Sequence, residues 1–346
     1  MARLITCGWE SGDLNEIGTY LTYNGGSQSF VSGRSGRYGY RSTSISGGGM
    51  SMRSVSLGAS PNPNELWIRI GFANVYVFGA RGESFLDLMD GSAIQVQFGS
   101  KSDTILRAYR GTTEIVSGGA LSGGSTYSCL ELHVIIHSTN GVIQAWIDGA
   151  LVFSFTGNTQ ASPNAYITDI RFGIRYQSSS GGSYYDERCD IDDIAVNDTT
   201  GSVNNSRIGQ GGIIALYPNA DTTDKDFSRS AGSSNYSLVN SFPPDGDASY
   251  VESGVIGDCD LYELEDPSGD GTINAVWVTT HGRVVLGAGA PIGITLRSGA
   301  TTVVASAYSL TNTYTMHGRL FNTDPNTSAA WTPTALNSLQ IGVTVV

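Results

Sequence analysis

The residues best suited to chemistry in this chain are its acidic clusters. Asp186-Glu187-Arg188-Cys189-Asp190-Ile191-Asp192-Asp193 holds five carboxylates in eight residues, and Glu263-Leu264-Glu265-Asp266 three in four. Cleaving a glycosidic bond takes two carboxyl groups, one to protonate the leaving oxygen and one to act as nucleophile or base. In an extended strand Asp190 and Asp192 share a face, and Asp186 and Glu187 precede them from a loop. Hard oxygen ligands so placed suit a calcium ion better than an acid–base pair, so Asp190 and Asp192 are the candidate calcium ligands. A solvated outer strand face with turn-forming Asp is the plain reading of the cluster, ahead of a calcium site. Asp221-Thr222-Thr223-Asp224-Lys225-Asp226 and Asp266-Pro267-Ser268-Gly269-Asp270-Gly271 are also Asp-rich. Neither completes the twelve-residue calcium loop with its closing Glu, and both read as turns.

The histidines offer less. His133 and His137 lie on one face of a strand about 13 Å apart at about 3.3 Å per residue, too far for one zinc. His281 and His317 stand alone, and the chain has no G-x-S-x-G elbow to serve a serine nucleophile. For ligand contact the loop Ser178 to Asp186 has fitting chemistry, because Tyr184 and Tyr185 can stack on a sugar or peptide at low entropic cost while Ser and Gly adapt. Arg34 to Arg41, with three Arg and two Tyr, is a second candidate through Arg37 and Tyr38; the start of a strand is its plain reading.

Elements that position such residues must come from a Gly-rich, low-charge chain. Of 346 residues 45 are Gly and 17 Tyr, and only 14% are charged, a composition that favours short strands and tight turns over long helices. Lys and Arg number 19 against 31 Asp and Glu, a net charge of -12. That field disfavours nucleic acid and anionic membrane surfaces. Met1 to Cys7 lacks the apolar run of a secretory signal, and no segment reaches a membrane-spanning length. Cys7, Cys129, Cys189 and Cys259 form no C-x-x-C pair and read as buried thiols. Cys7 and Cys189 are the one pair that could meet, if the first and last strands of a sandwich are neighbours.

Period-two alternation carries the fold. Leu66, Ile68, Ile70 and Phe72 fall on one face, as do Leu130, Leu132, Val134 and Ile136, with Glu131, His133 and His137 opposite. Phe85 to Met89 and Ala93 to Phe98 flank Asp90-Gly91. Asn140-Gly141 and Asp148-Gly149 bracket Val142 to Ile147 and lead into Leu151 to Phe155, an antiparallel meander. Without crossover helices an all-β sandwich follows. A polar run, Asp198 to Ser206, places the domain boundary at 200/201, giving a β-sandwich over 1–200 and a smaller β-domain over 201–346. Gly212 to Tyr217, Ala275 to Thr280, Val284 to Leu286, Ile292 to Leu296, Thr302 to Ala307 and Leu339 to Val346 are expected strands of the latter.

Tyr127 to Val134 followed by Gly141 to Val152, with its Trp146-Ile147-Asp148-Gly149 hairpin, resembles the central signature of concanavalin A-like (laminin-G-like) domains, and Asp190 to Val196 resembles their closing strand. The resemblance implies an antiparallel jelly-roll sandwich followed by a second β-sandwich. Glucanases of that superfamily carry Glu-x-Asp-x-Glu or Glu-x-Asp-x-x-Glu on a strand, a string this chain lacks. The opening Ile5 to Asp13, Gly33 to Arg41 and the end Ala330 to Val343 resemble structural proteins of tailed phages. That implies a non-enzymatic virion component in a tail fibre, tail tip or capsid surface, made in the host cytoplasm. Its partners would be other virion proteins, a host-surface glycan and further copies of itself as a homo-oligomer, with no cofactor unless calcium. A glycan-degrading tail enzyme and a non-viral lectin or adhesin are the alternatives.

Overall fold

The computed structural model describes residues 3–23, 25–44, 49–76, 83–121, 124–176, 187–267, 271–285, 291–305 and 307–346. Its backbone divides into two compact units, Met1–Glu10 with Leu14–Ile213, and Ser11–Asp13 with Ile214–Val346. Among the described residues no helix is long and apolar enough to cross a membrane.

The first unit is an antiparallel β-sandwich. Its strands begin with β1 (Arg3–Cys7), β2 (Thr19–Tyr23), β3 (Ser27–Ser32), β4 (Tyr38–Ser44) and β5 (Met50–Ser56). They continue with β6 (Glu65–Tyr76), β7 (Glu83–Asp90), β8 (Ala93–Ser100), β9 (Ile105–Arg110) and β10 (Thr113–Ala120). The last five are β11 (Ser128–Ile135), β12 (Gly141–Ile147), β13 (Ala150–Gly157), β14 (Asp169–Tyr176) and β15 (Glu187–Asn197). One sheet of eight strands runs β13-β12-β11-β6-β15-β4-β3, with β1 paired to β15; the other, of seven, runs β10-β9-β8-β7-β14-β5-β2. Sequence neighbours thus alternate between local hairpins and long returns, the jelly-roll pattern.

Alternation fixes which face of each sheet is buried. Ile68, Ile70, Phe72, Leu130, Leu132 and Val134 face inward from the larger sheet, and Leu86, Leu88, Val96, Phe98, Ile170 and Phe172 from the smaller, all at most 1% exposed. Phe72 stacks on Phe85 of the opposite sheet with centroids 6.4 Å apart. Filling such positions contributes roughly 1.5–3 kcal/mol per large side chain. Asp148-Gly149 makes the expected turn, with φ of 49° and 84°, and Asp148 Oδ1 accepts from the Cys129 N–H at 2.8 Å.

The expected neighbourhood of first and last strands is present, yet Cys7 stands opposite Ile194, five residues or roughly 16 Å along β15 from Cys189. Both thiols are buried and unbonded to each other. Residues 201–213, read from sequence as the start of the second domain, cluster with the first. Arg207 and the Gly209 N–H bind Glu131, and Gly211 and Ile213 give backbone groups to Arg34 and Asp193. Gly212 to Tyr217 is accordingly no strand, because side chains of the sandwich take hydrogen-bonding groups a ladder would need.

The second unit holds a five-stranded antiparallel sheet, including Cys259–Leu264, Gln340–Val345 and Ile292–Ser298, and a two-stranded ribbon of Val276–Gly282 with Thr315–Phe321. Val278 and Phe321 of the ribbon share a core with Ile294, Leu296, Trp331, Leu336 and Leu339. Thr332-Pro333 starts the single α-helix among the described residues (Pro333–Asn337), the Thr332 side chain accepting from the Ala335 N–H. Val284 and Val285 lie outside any strand.

Candidate active site on the seven-stranded sheet

The outward face of the seven-stranded sheet carries the chemistry. Register partners in neighbouring strands point to the same face, so pairings trace rows of side chains across the sheet. One row reads Ser54, Arg171, Asp87, Gln97, Tyr109, Glu114 across β5, β14, β7, β8, β9 and β10. The adjacent row reads Arg175, Ser84, Gly99, Arg107, Ser117 across β14 to β10. The intervening positions, among them Leu86, Val96, Phe98, Ala108 and Phe172, face the core.

Side chains draw the two rows together. Arg175 Nε and Nη2 bind the two oxygens of Asp87 at 2.8 and 3.2 Å, and Nη2 also donates to Gln97 Oε1. The Arg175 guanidinium is thereby carried over β7 to β8, one strand spacing of about 4.8 Å from the strand of Tyr109. Between Arg175 and Arg107 lie Ser84 and Gly99, both small. Arg107 is gripped by Asp103 at 2.7 Å and stands 3.4 Å from Glu114, which also binds Lys101 at 2.7 Å.

Burial separates the rim of this face from its floor. Arg171 and Arg175 are half-buried, whereas Asp87, Gln97, Arg107 and Tyr109 lie between 0 and 8% exposed. Four buried polar atoms here have no hydrogen-bond partner: Tyr109 Oη, Arg107 Nε, Arg171 Nε and Ser84 Oγ. Leaving such a group unpaired costs about 1–3 kcal/mol. Burial, reinforced by the Glu114 charge, pushes the Tyr109 phenol up to about 12, and the hydroxyl carries its proton at neutral pH.

The residues singled out in the sequence lie elsewhere. Asp190 gives both oxygens to Arg41, at 2.6 and 2.7 Å, and accepts from Asn74 Nδ2 at 2.6 Å. Asp192 accepts the N–H groups of Arg34 and Asp193. These are ion-pair and turn-holding roles, and among the described residues no three His, Cys, Asp or Glu side chains are grouped to hold a metal ion. Guanidinium, amide and backbone donors take the oxygens of Asp190 and Asp192, the residues read from sequence as calcium ligands. Arg37 and Tyr38 belong to the turn into β4. The Arg37 N–H donates to the buried Glu10 at 2.8 Å, and Tyr38 stacks on Phe30 at 4.8 Å, so the pair serves the turn. Tyr184, Tyr185 and Asp186 lie outside the described residues, as does the side chain of Glu187.

The row across the smaller sheet was missed because its members are read singly in the sequence. The signal was present as polar residues at alternate positions of strongly apolar strands: Gln95 and Gln97, Arg107 and Tyr109, Arg171 and Arg175. His133 is an outer-face residue of the other sheet, stacked on Trp67 at 3.8 Å and bonded to Glu65 at 2.7 Å. His137 lies past the end of β11 and accepts the N–H groups of Thr139 and Asn140.

No family model and no curated protein matches the sequence. Among solved structures the chain is similar to an endo-β-1,4-glucuronan lyase from the fungus Trichoderma reesei, with 16% identity and a TM-score of 0.45 over 56% of this chain and 95% of that one. It is similar to the cellulose-induced protein Cip1, with 17% identity and a TM-score of 0.43 over 60% and 100%. A GH131 β-glucanase catalytic domain from Podospora anserina gives 14% identity and 0.37 over 56% and 89%. Such likeness concerns the fold of the first unit and assigns no residue of this chain a role. The expectation of a non-enzymatic virion structural protein is nevertheless corrected: the similar structures include a glucuronan lyase, alginate lyases and a β-glucanase.

Proposed function

We propose that the chain is a glycan-degrading enzyme whose active site is the outward face of the seven-stranded sheet, centred on Arg175, Gln97, Tyr109 and Arg107. The observation that carries this reading is the buried, unpartnered Tyr109 hydroxyl one strand from Gln97, to which an Arg175 guanidinium held by a fully buried Asp87 donates. A guanidinium fixed in this way is a preorganised positive charge, and a proton-bearing phenol on the same face is a group able to move a proton in a water-poor place. A fold needs neither on an outward sheet face. Glycans fit such a surface because its polar side chains are spaced across several strands.

Reducing-end release from a panel of neutral and acidic polysaccharides by the purified full chain tests the reading. Release that is lost in Arg175→Ala, with the fold retained by circular dichroism, is the expected outcome. Release unchanged by that substitution places the activity elsewhere on the molecule.

A further inference from the structure

We infer that the second unit has a sugar-binding site of its own on the outward face of its two-stranded ribbon, where the Trp277 indole stacks on a neutral glycan and Thr279 and His281 meet the sugar hydroxyls. The inference goes beyond the reading of the seven-stranded sheet and does not rest on it.

Register sorts the ribbon into two faces. Val276 pairs with Phe321 and Val278 with Arg319, and Val278 and Phe321 are buried in the core of the second unit. The alternate pairs, Trp277 with Leu320, Thr279 with Gly318 and His281 with Met316, therefore point away from that core, and all six residues are partly exposed. Tyr314 extends the same face, stacked on His281 at 5.0 Å.

Gly318 decides how the indole is laid. A Cβ at that position would come within 3.0 Å of Nε1, Cε2 and Cζ2 of Trp277, so the ring lies across the neighbouring strand on a seat that only glycine leaves open. Among the described residues Trp277 stacks on no other ring, and its N–H has no hydrogen-bond partner. The other four tryptophans are engaged within the chain. Trp9 stacks on Tyr40, Trp67 on His133, and Trp146 is covered by Arg207 at 4.4 Å. Trp331 is buried and donates to the Phe321 carbonyl at 2.9 Å. An indole without such a partner is a rigid, amphipathic contact whose use by a ligand costs little conformational entropy.

The neighbouring groups favour hydroxyls over charge. Trp277, Thr279 and His281 follow one another on this face at about 6.6 Å, so one extended oligosaccharide can lie over all three. The Thr279 hydroxyl and the His281 ring nitrogens also have no hydrogen-bond partner among the described residues. At the end of the strip Asp247 takes Arg283 at 2.7 Å and the Tyr314 hydroxyl at 2.9 Å, and the Asp13 charge acts on His281. Arg319 belongs to the other face, over Phe321. One arginine set against two carboxylates leaves no positive excess, and a net charge of -12 repels polyanions. A neutral sugar chain, recognised by ring stacking and hydroxyl hydrogen bonds, matches this strip.

The experiment runs the full chain through native gels cast with a β-glucan, a mannan or a xylan, against a gel without polysaccharide. Retardation by at least one of them is expected, kept in Arg175→Ala and weakened at least about 10-fold in apparent affinity in Trp277→Ala. Gly318→Val, which retains every aromatic and polar group but fills the seat of the indole, should weaken it equally with circular dichroism unchanged. That variant keeps the test valid if Trp277→Ala fails to fold. Retardation that survives in both ribbon variants overturns the inference, as does retardation by none of the polysaccharides. Glycan release without retardation overturns this site and leaves the functional reading standing; retardation without release from any glycan does the reverse.

Discussion

The two outward faces of the sandwich are built on the same pleated alternation, yet they satisfy their polar groups differently. On the eight-stranded sheet Glu131, 2% exposed, takes Arg207 and the Gly209 N–H. Asp193 takes Arg34, Ser35 and the Ile213 N–H, and Trp67 is stacked between strands on His133. Arg207 also lies over Trp146 at 4.4 Å. On the seven-stranded sheet Asp87 is as well held, but Tyr109 Oη, Arg107 Nε, Arg171 Nε and Ser84 Oγ lack partners on one outward face, against Arg3 Nη2 and Tyr40 Oη on strands of the eight-stranded sheet. The difference is one of degree: the seven-stranded face gathers more buried groups that each cost about 1–3 kcal/mol when left unpaired.

That contrast can be broken most sharply at Tyr109. Tyr109→Phe should lower turnover by about 10²–10⁴ while leaving the melting temperature unchanged or slightly raised, since it removes an unpaired hydroxyl. A fall in stability with full turnover would assign the phenol to structure and erase the difference between the faces. Glu131→Ala should do the reverse, costing about 1–3 kcal/mol in denaturant titrations because the Gly209 N–H loses its acceptor and the part-exposed Arg207 its partner, with turnover per folded molecule unchanged. A matching loss of turnover would show that the faces are not independent.

A pH series sharpens the structural side. Burial raises the Glu10 carboxyl to about 7 and the Asp192 carboxyl upward as well, with neighbouring carboxylates adding to both shifts. In the window between the ordinary carboxylate range and these raised values, the folded chain holds protons that the unfolded chain has released. Stability therefore falls as pH rises through that window and levels off above it. Glu10→Gln should flatten the fall in thermal melts recorded across the window, and an unaltered slope would contradict the assignment. The smallest effect is expected at Leu151, 54% exposed on the hairpin after Trp146. Leu151→Ser should stay within about 0.5 kcal/mol of the parent and leave turnover alone, and a larger change would reveal an unrecognised contact on the closed face.

How far the sequence could be read follows from the range of the interactions involved. Strands such as Leu66 to Phe72 and turns such as Asp148-Gly149 are dictated by residues a few positions apart, and they appear where alternation and positive φ require. The Arg175–Asp87–Gln97 contact joins residues up to 88 positions apart, through a register set by the whole sheet. Nothing local marks Asp87 or Gln97, because a polar residue at an alternate strand position is ordinarily a solvated one. The conspicuous acidic run at Asp190 to Asp193 misled for the opposite reason. Its carboxylates meet Arg34, Arg41 and Asn74, whose distance in sequence conceals that they already occupy the oxygens.

The most direct test of the central claim is a crystal structure of Tyr109→Phe with an oligosaccharide of the glycan the parent chain cleaves. The account predicts sugar density across the outward face of the seven-stranded sheet, with sugar oxygens within hydrogen-bonding distance of Arg175 or Arg107. Sugar bound on the eight-stranded face, with the Arg175–Gln97–Tyr109 region empty, would contradict it.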